Sequence, residues 1–383
     1  MAIRTTIDRL IRRFEKDFDT HNRIEVLKKA LLHNYDLFAR LSGKEVIPVL
    51  KGNAYGHGIE QVAAALRDRS FSYIAVDGYF EALRVRKVSR QPVLIMGAIK
   101  PENFARLTYD GFAFVVQDAA TIRALGAIKK KVKVHLECNT GMNRYGAAPS
   151  QLAELTRLIL GYPNLTLEGV MSHLADSDGD GIETVASAVQ HYDECVELIL
   201  GAGGTPTLFH VAQTAGSVKA VSKYATAMRL GIGLYGINPF SPSHTLHDTL
   251  AGLQPALRFV STITKTIELK KGDKVSYNYT FTAPRSMTIG IIPAGYYEGV
   301  NRALSNKGVV SQGDMYLPIV GRVCMNHTMI ELPSPVAIGT EVSVYSSDPS
   351  AKNSIDITAQ KHGLFNYNLL TALSADVRRI LVE

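Results

Sequence analysis

Between residue 45 and about residue 236, short apolar and β-branched runs alternate with longer stretches of helical spacing. The runs are "EVIPVLK" (45–51), "SYIAV" (72–76), "PVLIMG" (92–97), "FAFVV" (112–116), "VKVHLEC" (132–138), "LEGVMSH" (167–173), "LFHVA" (208–212) and "MRLGIGLYG" (228–236). Between them, segments such as "IEQVAAALRDR" and "DAATIRALGAI" have helical character. The runs are almost continuously apolar, as strands covered by helices on both faces must be. Eight such strands alternating with helices predict a (β/α)8, TIM-like barrel in the α/β class. A doubly wound open sheet is the alternative, although no G-x-G-x-x-G turn follows any strand.

After about residue 252 the pattern changes. "ALRFVSTITKTIELKKGDKVSYNYTF", "MTIGIIPAG", "MYLPIVGRV" and "TEVSVYS" read as strands parted by glycine turns, with little helix before the last 30 residues. The division expected is a barrel over 22–252 and a mainly-β domain over 253–383. Before both, Ile3, Ile7, Leu10, Phe14 and Phe18 recur at helical spacing and predict an amphipathic extension over 1–21.

Composition narrows the setting. Forty-six per cent hydrophobic and 20% charged residues over 383 positions describe an ordinary globular chain. The net charge of +7 favours anionic ligands, but the basic residues are scattered, so nucleic acid is not an expected partner. Cys138, Cys195 and Cys324 are odd in number and far apart, which favours a reducing compartment and neither a disulfide framework nor a metal site. No run reaches the roughly 18 apolar residues of a membrane span. A cytoplasmic location is expected, or a periplasmic one if a signal peptide has been removed.

In a parallel barrel, functional groups stand at the C-terminal ends of strands. Those ends carry Lys51, Glu137 with Asn139 and Arg144, His173, Gln213 with Thr214, and Arg229. Lys51 follows an apolar run and precedes a loop with Gly52, Gly56 and Gly58. It is either a snorkelling surface residue or an amine used in chemistry, and low-dielectric walls would make it the latter by easing loss of its proton.

"VLKGNAYGHG" resembles the lysine motif of fold-type III pyridoxal-phosphate enzymes, specifically the alanine racemase family. "TGMNRYG" (140–146), "MSHLADSD" (171–178), "MRLGIGLYG" (228–236), "VSYNYTF" (275–281), "IPAGYYEG" (292–299) and "VGRVCMNHTM" (320–329) follow in the family's order, so the resemblance spans residues 22 to 380. It implies a pyridoxal 5'-phosphate (PLP) cofactor bonded to Lys51. Tyr55, Thr214, Gly231, Ile232 and Tyr367 would hold its phosphate, and Arg229 would face its ring nitrogen. His57 is left open between a structural and a functional role.

The same resemblance implies racemisation of a small amino acid, most readily alanine, by two bases on opposite faces of the α-carbon. Lys51 is one, and Tyr277, contributed by the neighbouring subunit of a homodimer with shared active sites, is the other. A free tyrosine titrates near about 10, so a partner is needed, and His173 with Arg229 behind it is that partner in the family. Arg144 would bind the substrate carboxylate or the cofactor's phenolate oxygen, Met325 would bind the substrate carboxylate through its N–H, and Tyr296 would narrow the entrance. A broader-specificity or serine-type racemase, and a non-catalytic carrier of the cofactor, are the alternatives. The chain departs from the family where Glu137 stands for a frequently carbamylated lysine, Asn139 and Asn326 for aspartates, and Glu298 for the usual aspartate. Glu137 is expected to supply a permanent supporting charge beside Arg144.

Overall fold

The computed structural model describes residues 19–219 and 222–383. The amphipathic segment predicted over 1–21 therefore lies almost wholly outside the described residues. Two compact units are present: one comprises Val26–Leu257 with Ser347–Pro349 and Leu381–Glu383, the other Arg258–Ser346 and Ser350–Ile380 with the segment up to Glu25.

The first unit is built on eight strands: β1 (Glu45–Pro48), β2 (Ile74–Val76), β3 (Val93–Ile95), β4 (Phe112–Val116), β5 (Val132–Glu137), β6 (Leu165–Met171), β7 (Leu208–His210) and β8 (Ala227–Leu230). Strands β2 to β7 form a parallel sheet in chain order. β1 pairs in parallel with β8, Ile47 opposite Arg229. The circuit closes through the Val49–Ala75 bridge on one side and the Thr226 N–H to Phe209 carbonyl bond of 3.0 Å on the other. This is the predicted barrel. Its interior is filled by Ile47, Val49, Tyr73, Ala75, Leu94, Ala113, Leu208 and Ala227, drawn from strands around the ring.

The structure corrects the expected strands at two ends. "EVIPVLK" is strand only to Pro48, because the chain turns left-handed after Lys51. "MRLGIGLYG" is strand over Ala227–Leu230 and then a 3-10 turn over Ile232–Tyr235. The stretch after Gln213 makes a three-residue 3-10 turn, Gly216–Val218. There Gly216 lies so close to Leu174 that an added Cβ would sit 2.6 Å from its Cδ1.

The second unit is mainly β, as the change in pattern predicted. A six-stranded sheet runs in the order Met315–Pro318, Val309–Gln312, Glu341–Tyr345, Leu257–Thr262, Arg23–Leu27, Arg378–Val382. A three-stranded antiparallel sheet joins Lys265–Leu269, Met287–Ile292 and Thr328–Leu332. Val275, Ala283, Met287, Ile289, Val320 and Met329 make its core. Among the described residues no helix is long and apolar enough to cross a membrane.

Candidate active site

Lys51 stands beyond the end of β1 and opens a left-handed turn. Gly52, Asn53, Ala54 and Tyr55 have φ of 63°, 55°, 55° and 49°, a conformation that costs roughly 1–2 kcal/mol for each residue bearing a Cβ. Hydrogen bonds hold the turn: Ala54 N–H to the Leu50 carbonyl at 2.8 Å and Gly56 N–H to the Gly52 carbonyl at 3.0 Å. Asn53 also accepts, through Oδ1, from Ile59 N–H at 3.1 Å. A carboxylate missed by sequence reasoning completes the clamp. Glu81 Oε1 accepts from Gly52 N–H at 2.7 Å and Asn53 N–H at 3.3 Å, while Oε2 accepts from Asp77 N–H at 3.0 Å and Gly78 N–H at 3.3 Å. Strain held by this much surrounding structure is characteristic of functional loops.

The turn faces a cavity of about 250 Å³ at the C-terminal ends of the barrel strands. Its lining brings together Lys51, Tyr55, Glu137, Arg144, His173, Gln213, Arg229 and Gly231, with Asp77 in addition. Burial lowers the Lys51 pKa, and the positive charges of Arg144 and Arg229 add to this, against the opposing pull of Asp77 and Glu81. Burial, with Arg229, Arg144 and Lys51, drives His173 down to about 3, so its ring is neutral. Burial raises Tyr55 to about 12 and leaves its phenol a neutral donor.

Arg229 is the buried centre of the site. Its Nη1 donates to the His210 carbonyl at 2.6 Å and to His210 Nδ1 at 2.8 Å. Its Nη2 donates to the Ser172 carbonyl at 2.6 Å and the Val211 carbonyl at 3.2 Å, with His173 Nδ1 at 3.3 Å. Arginine has five N–H donors and accepts nothing. His173 Nδ1 therefore faces a donor, which leaves its proton on Nε2.

Two family models match the chain, the alanine racemase N-terminal domain over residues 26–239 and the alanine racemase C-terminal domain over 256–381. The chain belongs to the alanine racemase family. Alanine racemase 2 of Caldanaerobacter subterraneus subsp. tengcongensis is 31% identical over 94% of both chains. The alanine racemase of Bacillus anthracis with bound L-Ala-P superposes with a TM-score of 0.86 at 28% identity, covering 96% of each chain. That of Bartonella henselae with covalently bound pyridoxal phosphate does so at 0.80, covering 95% of this chain and all of that one; at 21% identity the likeness is one of fold.

Alanine racemases use PLP, and the cavity can be tested for it. Lys51 offers a desolvated primary amine at its wall. Of the Arg229 donors, Nε–H alone has no protein acceptor among the described residues, which suits the lone pair of an unprotonated ring nitrogen. Gly231 leaves room beside the Tyr55 hydroxyl, where an added Cβ would come within 2.8 Å. Thr214 is buried behind it and accepts from Gly233 N–H at 3.3 Å, so its own hydroxyl proton remains available. The donor set fits a pyridine ring carrying an aldehyde and a phosphate ester.

The other family-implied residues lie on the second unit. Tyr277 and Tyr279 are exposed at 67% and 66% in a turn that also holds Ser276 and Asn278 at φ of 67° and 59°. Ser276 donates to the Arg322 carbonyl at 2.7 Å, which ties this turn to the segment carrying Cys324 and Met325. The Tyr296 and Tyr297 N–H groups donate to the carbonyls of Cys324 and Met325, at 3.0 and 2.9 Å. Tyr277, Met325 and Tyr296 are thus gathered on neighbouring loops of one unit. Tyr367 stacks on Phe365 at 4.8 Å in a short helix, Asn366–Thr371.

Two departures from the family form a pair. Asn326 Nδ2 donates to Glu298 Oε1 at 2.7 Å, and Glu298 Oε2 accepts from Gly295 N–H at 2.8 Å. The asparagine gives the glutamate an N–H donor where an ionised aspartate could give none. Asn139 acts within the arginine loop. Its Oδ1 accepts from Gly141 and Asn143 N–H at 3.1 and 3.2 Å, and its Nδ2 donates to Asn143 Oδ1 at 2.9 Å.

Proposed function

We propose that the chain interconverts L- and D-alanine as a PLP-dependent racemase, in the cytoplasm, as a homodimer whose active sites each draw on both subunits. What carries this reading is the meeting, on one cavity, of a desolvated lysine amine with a buried arginine whose Nε–H has no protein acceptor among the described residues and suits an unprotonated ring nitrogen. When bound, PLP withdraws electrons from the substrate's α-carbon and acidifies its proton.

In this reading Lys51 takes or returns that proton on one face, since its lowered pKa brings the neutral amine nearer to working pH. Arg229 cannot accept a proton, so it holds the ring nitrogen unprotonated and tempers the electron sink, favouring prompt return of the proton over side reactions. The partner subunit's Tyr277 serves the other face. His173, neutral with its proton on Nε2, donates to that phenol's oxygen and so favours its ionised form. Tyr55, Thr214, the Gly231 and Ile232 N–H groups and Tyr367 receive the phosphate. Arg144 and the Met325 N–H take the substrate carboxylate, and Tyr296 limits side-chain size.

Glu137 is the chain's own supporting charge in this scheme. Burial raises the pKa of its carboxyl, and the pull of Arg229 and Arg144 offsets this only in part. Glu137, Arg144 and Arg229 line one cavity, and in this reading Glu137 acts through its charge across it. Glu137→Gln is expected to raise the KM for alanine about tenfold, some 1.4 kcal/mol of lost binding, with a smaller change in kcat. Unchanged KM and kcat would dismiss the supporting charge.

A panel of amino acids followed by chiral chromatography tests the function itself. Alanine should racemise fastest and serine next. A protein that exchanges no α-proton with solvent deuterium for any of them is a cofactor-binding protein, not a racemase.

A further inference from the structure

Behind Arg229 the barrel interior holds a row of polar groups that the reaction does not touch. His210 Nδ1 receives Arg229 Nη1 at 2.8 Å, and His210 Nε2 lies 2.9 Å from His135 Nδ1. His135 Nε2 faces Glu168 Oε2 at 3.5 Å, long for a hydrogen bond but close for a charge contact. Both rings are wholly buried. The row crosses the barrel from β8 through β7 and β5 to β6.

The protons in this row have one arrangement. Arg229 is a donor only, so His210 Nδ1 must carry a lone pair and the ring must be neutral with its proton on Nε2. That proton is donated to His135 Nδ1, which must also carry a lone pair. The proton of His135 then sits on Nε2 and meets the Glu168 carboxylate. The reversed arrangement would turn an N–H of His210 against an N–H of Arg229. Burial lowers the pKa of both histidines, which agrees with neutral rings.

Two features of the backbone are shaped to this row. The β5–β6 register skips a residue, pairing Val134 with Leu167 and then His135 with Gly169. Glu168 is the extra residue of that bulge, a device that re-aims a side chain. Gly169 leaves the space for the imidazole: an added Cβ would fall 2.4 Å from His135 Nδ1. Glu168 is also bound by the Tyr73 hydroxyl and by Lys133 Nζ at 2.5 Å. Partial burial pushes its carboxyl up, but the His135 contact and the bonds from Lys133 and Tyr73 outweigh this and bring it to about 2.

We infer that Glu168, His135 and His210 are positioning residues: the Glu168 carboxylate fixes the tautomers of His135 and His210, and the locked row holds the Arg229 guanidinium against the cofactor ring. The inference rests on the reading of Arg229 as the residue facing that ring. With an amide at 168, which can offer an N–H as readily as an oxygen, His135 is free to move its proton to Nδ1, His210 must follow, and a donor then opposes Arg229.

The test uses the PLP-loaded enzyme labelled with 15N-histidine, its signals assigned with His135→Asn and His210→Asn variants. In the unaltered enzyme both rings should be neutral, with the proton on Nε2 and none on Nδ1. A proton on Nδ1 of either ring, or a doubly protonated ring, overturns the inference without any need for a variant at 168. Glu168→Gln, confirmed folded by its near-ultraviolet circular dichroism, should lose the single-tautomer pattern. Its kcat should fall about tenfold while KM for alanine changes less than about twofold. A Glu168→Gln enzyme with the same tautomers and the same kcat also overturns it. Absence of racemisation in the unaltered enzyme would defeat the functional reading alone, because the tautomer pattern is read independently of turnover.

Discussion

Lys51→Ala is expected to lower alanine racemisation by about 10³- to 10⁴-fold or more, since one residue supplies both the covalent hold on the cofactor and a proton carrier. Chiral chromatography measures the loss. Dialysis followed by an absorbance spectrum should show that the variant no longer retains PLP. Stability should move the other way. The folded chain disfavours the charged amine, so the apo protein should gain stability as pH rises through the lowered Lys51 pKa towards the ordinary value of 10.5. The alanine variant should lack that slope and melt no lower than its parent near neutral pH. An apo variant that melts well below its parent would mean that Lys51 is a structural residue and not a desolvated reagent.

The barrel was legible because covered parallel strands and their helices repeat in a regular alternation of pattern, and because barrel chemistry collects at one end of the strands. Lys51, Glu137, Arg144, His173 and Arg229 were found that way, and the cavity unites them. The left-handed turn was not legible in full. Glycine at 52 hints at it, but Asn53, Ala54 and Tyr55 take similar φ in a turn that Glu81, 29 positions from Gly52, helps to hold through the Gly52 and Asn53 N–H groups. A clamp of that kind leaves no local pattern. The polar row through the barrel escaped for a related reason. His135, Glu168 and His210 sit inside runs read as buried strand, where an isolated polar residue says nothing about its partner on another strand. The bulge at Glu168 depends on the register of two strands, which periodicity does not set. Asn326 and Glu298 were each noticed as departures, yet only their 2.7 Å bond shows them to be one change.

Tyr277→Phe should cost about 10²- to 10⁴-fold in racemisation while sparing half of the chemistry. Lys51 would still exchange the α-proton on its own face, so deuterium should enter one enantiomer of alanine and not the other. Exchange of both enantiomers at the parental rate would remove Tyr277 from the mechanism. Its setting explains why a second subunit is invoked. The side chain is 67% exposed in one chain, on a turn where Ser276 and Asn278 adopt positive φ, and a strained turn presenting a bare phenol is poorly accounted for by packing within its own unit. Mixed dimers separate the possibilities. If Tyr277 acts in the partner's site, a dimer of one Lys51→Ala chain and one Tyr277→Phe chain has one site carrying both lesions and one carrying neither. Refolding the two inactive variants together in equal amounts should then restore about a quarter of parental activity, because about half the dimers are mixed and each has one intact site of two. If both residues served the site of their own chain, every site in the mixture would carry one lesion and no activity would return.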